Sequence, residues 1–395
     1  RGAELGGLAG SIRHGSSVLP LAYHHILHHD RVLLHFLEEI GARDQVQWRK
    51  IKMLMHFNER LYDLSRPADF ARFPMRWSDK VRFIYLMLRC FFKSDWEDWE
   101  HAGADELIDS WGSSGVRHAL FEPLTQLKFH LPCSAVSAAW LGARLHYREG
   151  TLPLGYIPGK NWTEVLCSGL TRLLRECGVK IRTEVGVRRL HMTGNKVVGA
   201  ELDHDERVPC DEVVCALPAE VYRVMAPADT TRELANIHYT AAISVICATK
   251  QEIRPDFYWL NLTSLDCTAS GMFILDSLNP SIGAADERHV NFILHIPGRG
   301  HPSFRRPDEE VMAGCLEDFH RILGHPLALE WSHVTRIPMY SPVFVKGFRN
   351  IPIRSETYDN VYFAGNHRTH PTVASTGTAL ASGIEAANAI MSEAQ

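Results

Sequence analysis

The sequence predicts an α/β protein: a strand–turn–helix unit at the C-terminal end joined to an antiparallel sheet made from the middle of the chain. Three stretches carry that prediction. Val361-Tyr362-Phe363-Ala364 is a short apolar run bounded by Gly365, which reads as a buried strand, and a helix rich in Gly and Ala follows from about Ser375. Between Trp162 and Pro218 a helix closed by Gly178 leads into KIRTEV, VRRLHMT and KVVGAEL, three strand-like runs, with Gly194-Asn195 as a hairpin turn between the last two. A further run from Cys210 to Ala216 then stops at the breaker Leu217-Pro218. From 219 to 345, strand-like runs (Ala242 to Ala248, Met272 to Leu275, Val290 to Ile296) surround one helix from about Asp308 to Leu323.

At 395 residues the chain is long enough for two intimately joined domains. Its 45% hydrophobic and 22% charged content is that of an ordinary globular protein, and a net charge of −4 leaves no basic footprint for nucleic acid. Nine scattered cysteines with no CxxC pair form neither a disulfide framework nor a zinc motif, so a reducing, cytoplasmic setting is expected. No run of 18 apolar residues and no signal-peptide pattern occur. There is no G-x-S-x-G for a hydrolase, no Walker loop and no G-x-G-x-x-G.

In chain order, Gly6-Gly7 and Gly10 mark a loop. Asp30 is placed to N-cap a helix with Val32, Leu33, Phe36, Leu37 and Ile40 on one face and Gly41 at its end. His24, His25, His28 and His29 include two i,i+4 pairs, but they precede the cap and lack a carboxylate or thiolate partner, so a polar loop beside a cavity is preferred to a metal site. Residues 45–150 read as mostly helical. Within them Val81 to Lys93 is apolar with interleaved basic residues, too short to span a bilayer. A core helix is the plain reading; peripheral contact with a membrane surface, or a cap on an apolar cavity, are the functional ones. Phe257, Tyr258, Trp259, Met272, Phe273 and Tyr340 could line an apolar cavity, although residues of this kind on sheet faces are more often plain core.

Two glycines inside the small-residue C-terminal helix each cost roughly 1 kcal/mol, and close approach of another body is the usual offset. A strand, a glycine turn and a helix N-terminus also gather N–H groups and a positive dipole end, which suits an anionic group. This stretch resembles the C-terminal flavin-binding segment of the flavin amine oxidase, protoporphyrinogen oxidase and phytoene desaturase superfamily, where a Tyr-Phe-Ala-Gly-Asp type strand end precedes the helix under the flavin ring. Gly365, Thr376, Gly377 and Ala379 fall on matching positions, and Asn366 stands where the family has an acid that binds the ribityl chain. The series "D-E-V-V-C-A-L-P" with the preceding hairpin is a second match; the resemblance implies adenine contact at the backbone of Val187 and cofactor contact at Ala216. Gly6 and Gly7 match the family's Gly-Gly pair near the pyrophosphate, while Gly159-Lys160 replaces a later Gly-Gly.

The resemblance implies a Rossmann-like FAD-binding domain interleaved with an α+β substrate domain built on an antiparallel sheet. Its N-terminal β-α-β hairpin is expected to be missing from the chain, since the fingerprint would precede Arg1. Expected segments are 1–44, 151–218 and 346–395 for the FAD-binding domain, and 45–150 and 219–345 for the substrate domain. The implied activity is hydride transfer from a bulky, partly apolar small molecule to flavin N5, the reduced flavin's charge being met by the helix near Thr376. The family's Asp-x-Gly-x-His segment is replaced here, with Pro20 and Ala22 departing from it, and His24 and His25 keep imidazoles at the substrate side. LFEPLTQLKFHLPCSAVSAAWLGARLHYREG resembles a segment of bacterial protoporphyrinogen-oxidase-like proteins. It makes Lys128 a catalytic candidate, and Arg144 and Arg148 candidates for gripping a substrate carboxylate or phosphate, with Tyr258 and Tyr340 as further substrate contacts. A flavin-dependent sugar-nucleotide mutase, and a non-catalytic homologue that no longer holds FAD, are the alternatives.

Overall fold

The computed structural model describes residues 2–147, 152–263 and 266–393. Its largest unit is a seven-stranded mixed sheet in the order Trp331–Pro342, Tyr239–Thr249, Arg288–Ile296, Gly271–Ile274, Trp259–Leu262, Met53–Phe57, Arg60–Tyr62. Neighbours are antiparallel except Trp259–Leu262, which runs parallel to Met53–Phe57. Tyr239–Thr249 is buried at every position because both faces are covered. Ile243, Val245 and Cys247, with Phe292 and Leu294 beside them, pack under helix Asp308–Leu323, which presents Val311, Cys315 and Phe319 one turn apart. Ala242 and Ile246, with Trp259, Phe273 and Ile293, form the opposite face, which is overlaid by the chain from Leu21 to Leu27.

The helical reading of 45–150 needs correction at its start. Gln47–Arg49 pairs with Leu154–Tyr156, and Met53–Phe57 and Arg60–Tyr62 complete the edge of the large sheet. Five-residue MLMHF carries no period that separates strand from helix, and its partner Trp259–Leu262 lies some two hundred residues on. Helices Pro67–Arg72, Trp77–Phe92, Ala104–Trp111, Glu122–Phe129 and Ala138–Tyr147 follow. Helix Ala138–Tyr147 is buried over its first six residues, and Gly142 lies directly against the indole of Trp96.

On the other side of the molecule, helices Arg31–Glu39, Trp162–Glu176 and Thr376–Glu393 pack beside the hairpin Ser11–His14/Ser17–Pro20. Arg31–Glu39 buries Leu33, Leu34 and Leu37, so Leu34 rather than Val32 faces inward. Val187–Thr193 and Lys196–Leu202 form the expected hairpin, joined by Arg207–Pro209. KIRTEV is not a strand: its recorded backbone tie is the Glu184 N–H to the Gly2 carbonyl, 2.9 Å, and no ladder forms beside it. Val213–Cys215 and Val361–Phe363 pair in parallel as a two-stranded unit among the described residues.

Gly142→Ala introduces a better helix former but drives a methyl into the Trp96 ring. The expected result is a loss of about 1–3 kcal/mol of unfolding free energy by denaturant titration; a gain would mean the Trp96 contact is not held in solution.

Candidate active site

Two helix N-termini meet at Asp30. Its carboxylate caps Arg31–Glu39 by accepting the Leu33 N–H at 3.1 Å. The same carboxylate accepts the Ser375 hydroxyl at 3.5 Å and the backbone N–H of Gly377, in the first turn of Thr376–Glu393. Gly377 is required there, because any Cβ would overlap the Asp30 carboxyl group. Burial raises the Asp30 pKa, and the three donors oppose that shift. The sequence identified Asp30 only as a local cap; its second role depends on a partner 345 residues away.

The C-terminal turn is tied down rather than left as a polar loop. Gly365 adopts φ 121°, a conformation open to glycine, and its N–H donates to the Ser382 hydroxyl at 2.7 Å. Arg368 donates to the carbonyls of Ile351 and Phe363. His370 Nε2 lies 2.9 Å from the Ser137 hydroxyl, and its backbone pairs with Asn350. Burial lowers the pKa of His367 and of His370 to about 4 each, with Arg368 adding to the shift of His367.

Next to this turn stands the overlaid sheet face. The Tyr23 N–H donates to the Asn291 side chain at 2.9 Å, and its ring stacks on Phe273 with centroids 3.6 Å apart. His25 Nδ1 lies 3.2 Å from the Tyr258 hydroxyl and its ring leans over Trp259. Of the two candidate imidazoles, His25 therefore reaches the sheet. His24 turns away: its Nδ1 binds the Ala22 carbonyl at 2.7 Å and its ring meets the edge of Trp162, where burial lowers its pKa. Phe257 and Met272 lie on the far side, under helix Asp308–Leu323, and belong to the core.

At the end of that face, positive charge gathers around one half-buried ring. His295 sits 5.7 Å from Tyr340, and its carbonyl lies 3.0 Å from Nε2 of His130. Nδ1 of His295 is buried without a hydrogen-bond partner. Its pKa falls to about 3, first through burial and then through the charges of Lys128, His130 and Arg144. Lys128 and Arg144 flank the Trp140 ring at 5.6 and 5.9 Å. Tyr340 hydrogen-bonds Tyr23, and its pKa is raised chiefly by burial. One turn beyond Arg144, Tyr147 stacks on His29 at 4.1 Å and feels the Asp30 charge, so a single helix links the cationic end to the helix N-terminus. Arg148 lies outside the described residues.

The predicted cofactor positions fall into two groups. Gly365, followed by Asn366, lies against the Ala216 carbonyl, joined by the Ala364 N–H to the Cys215 carbonyl, and is tied through Ser382 to the helix whose first turns carry Thr376, Gly377 and Ala379. Gly6 sits in a separate loop against Cys167 of helix Trp162–Glu176, with Gly7 beside it, and Val187 opens the strand three residues after Glu184, whose N–H donates to the Gly2 carbonyl. A Cβ at Gly7 would meet nothing within 4 Å, while Val187, Val214, Ala216 and Leu217 face solvent. Small residues, accessible backbone and a helix N-terminus fit a flavin dinucleotide, with Asp30 sharing the positive helix end. Among the described residues no three His, Cys, Asp or Glu side chains come together as a metal site requires.

The family model for flavin containing amine oxidoreductases matches residues 2–391, and the chain belongs to that family. A protein assigned as a protoporphyrinogen oxidase, from Exiguobacterium sp. 255-15, shares the fold at TM-score 0.78 and 15% identity, over 99% of this chain and 92% of that one. A reduced UDP-galactopyranose mutase aligns at TM-score 0.67 and 12% identity, over 87% and 78% of the two chains. A putrescine oxidase with putrescine bound aligns at TM-score 0.67 and 13% identity, over 98% and 92%. A search of curated proteins found no match to the sequence.

Two outcomes follow from this geometry. Asp30→Ala removes a cap from two helices and should lower unfolding stability by about 2 kcal/mol, roughly 1 kcal/mol for each; an unchanged thermal midpoint would show that the bridge is not formed. Histidines held neutral by burial make the fold acid-labile. Between the ordinary value of 6.5 and the folded values near 3 to 4, the unfolded chain takes up protons that the folded chain refuses. Stability is therefore full above pH 6.5 and falls as pH drops towards 4, by about 1.4 kcal/mol per pH unit for each such histidine. Melting temperatures measured from pH 7 to 4 should show the decline, with a shallower slope in His295→Asn.

Proposed function

We propose that the chain is an FAD-dependent oxidoreductase that removes a hydride from a bulky, partly apolar small molecule bearing a carboxylate or phosphate. The observation that carries this reading is the grouping of Lys128 and Arg144 beside half-buried His295 and Tyr340, at the end of a sheet face lined by Tyr23, Trp259 and Phe273. Gly365, Asn366, Thr376, Gly377 and Ala379, together with Gly6, Gly7, Val187 and Ala216, would hold FAD, which when bound would supply two-electron oxidation by accepting a hydride.

The chain's own groups do the rest. Arg144 and Lys128 orient an anionic end of the substrate, for which a guanidinium fork is suited. The aromatic face receives the apolar body and excludes water. His295 stays neutral at physiological pH, so it serves as a hydrogen-bonding group rather than as a proton shuttle. His25, hydrogen-bonded to Tyr258, is the imidazole positioned to orient the reacting end. A cationic end wall disfavours a diamine such as the ligand of the putrescine oxidase neighbour. Nine free thiols support a reducing, cytoplasmic setting.

The mutase reading rests on the fold shared with UDP-galactopyranose mutase and on the same arginines gripping phosphate. Arg148→Ala that leaves all substrate binding intact would count against it. The test of the main reading begins with the visible spectrum of the purified chain with FAD, where a band shifted from free FAD is expected. Protein that stays folded and colourless in excess FAD would instead identify a non-catalytic homologue. In the loaded protein, Arg144→Ala should weaken binding of an apolar carboxylate about tenfold or more while leaving FAD affinity unchanged. Equal reduction of the flavin by an apolar amine and by its carboxylate counterpart would sink the anionic-substrate reading.

A further inference from the structure

Helix Trp77–Phe92 turns its most apolar face outward. Trp77, Val81, Ile84, Tyr85, Leu88 and Phe92 are between 45% (Tyr85) and 79% (Phe92) exposed. Their spacing places all six within an arc of about 100° along a helix of roughly 24 Å, so they form one continuous stripe rather than scattered surface residues. The inward side is the narrower one: Leu86 and Cys90 are buried, and Lys80 is folded back so that its ammonium donates to the Ala71 carbonyl at 2.6 Å.

Charge is arranged beside the stripe, not within it. Arg82 and Arg89 lie next to each other along one flank, both exposed. Arg89 donates to the Tyr85 hydroxyl at 3.2 Å and stands 4.6 Å over the Trp111 ring, which holds it at the edge of the apolar band. From Arg76 to Lys93 there are five basic residues and a single acid, Asp79, in a chain whose net charge is −4. That acid accepts the Ser113 hydroxyl at 2.7 Å and is turned from the stripe. Lys93 is paired with Asp98 at 2.9 Å, so the outward positive charge rests on the arginines.

A stripe of this size with tryptophan, tyrosine and phenylalanine along it, and arginines on its flank, matches a layer that is apolar inside and negatively charged at its rim. No described helix is long and apolar enough to cross a membrane, so the helix would lie in the plane of such a layer. We propose that helix Trp77–Phe92 seats the protein on a bilayer containing anionic lipid, its apolar stripe among the upper acyl chains and Arg82 and Arg89 at the phosphates. The inference stands apart from the flavin chemistry and needs no cofactor.

The test is co-sedimentation of the full chain with vesicles of phosphatidylcholine alone and of phosphatidylcholine with phosphatidylglycerol, at low and high salt. Binding is expected to the anionic vesicles, to weaken with salt, and to be much lower on neutral ones. Arg82→Gln should reduce the partition coefficient about fivefold and Leu88→Glu should abolish it, both with an unchanged circular dichroism spectrum. Light scattering without lipid is the companion measurement. A chain that sediments with neither vesicle overturns the proposal. So does a doubled mass in solution that Leu88→Glu abolishes, which would make the stripe an interface between two copies.

Discussion

One carboxylate joins two helices whose contact at Asp30 and Ser375 spans 345 residues of sequence. Asp30 completes the first turn of Arg31–Glu39 and the first turn of Thr376–Glu393, so two dipoles whose positive ends would repel converge on one negative charge. Everything around the candidate site is placed with respect to that junction. A Cβ at Gly377 would overlap Asp30, and the chain from Leu21 to Leu27, just before Asp30, lies over the sheet. His29 and Tyr147 stack beside the junction and bring helix Ala138–Tyr147 with its arginine into line.

From that junction the site extends as a gradient. Near Asp30 lie a negative charge and a helix N-terminus; at the far end of the sheet face lie Lys128, Arg144 and a histidine kept neutral by burial. Between them the lining is aromatic. On the proposed reading, a ligand with an anionic head and an apolar body has one favoured orientation, head towards Arg144. Orientation by opposed ends needs little from any single contact, which is consistent with a site that lacks a nucleophile–base pair.

Legibility in the sequence followed the range of the interactions. Val187–Thr193, Lys196–Leu202 and Asp308–Leu323 were readable because alternation, a Gly-Asn turn and a helical period are local signals. Met53–Phe57 was not, since its pairing is parallel and remote, and KIRTEV looked like a strand because its residues favour one, although no neighbour completes a ladder. In the site, adjacent His24 and His25 are indistinguishable in sequence; only the packing of Trp162 on one side and Tyr258 on the other separates them. The convergence of Lys128 and Arg144 on His295 joins residues more than 150 positions apart and left no sequence pattern. Helix Trp77–Phe92 is apolar on two sides, so periodicity gave its existence but not which side faces the core.

Tyr239–Thr249 is paired along both edges, by Arg288–Ile296 and by Trp331–Pro342, and covered on both faces. Its amide protons have no route to solvent through fraying or local breathing, so they should exchange only when the whole domain opens. Its second edge is not satisfied until residues about ninety positions later have been made. During synthesis the centre of the sheet must therefore wait, half-paired, until Trp331–Pro342 has been made.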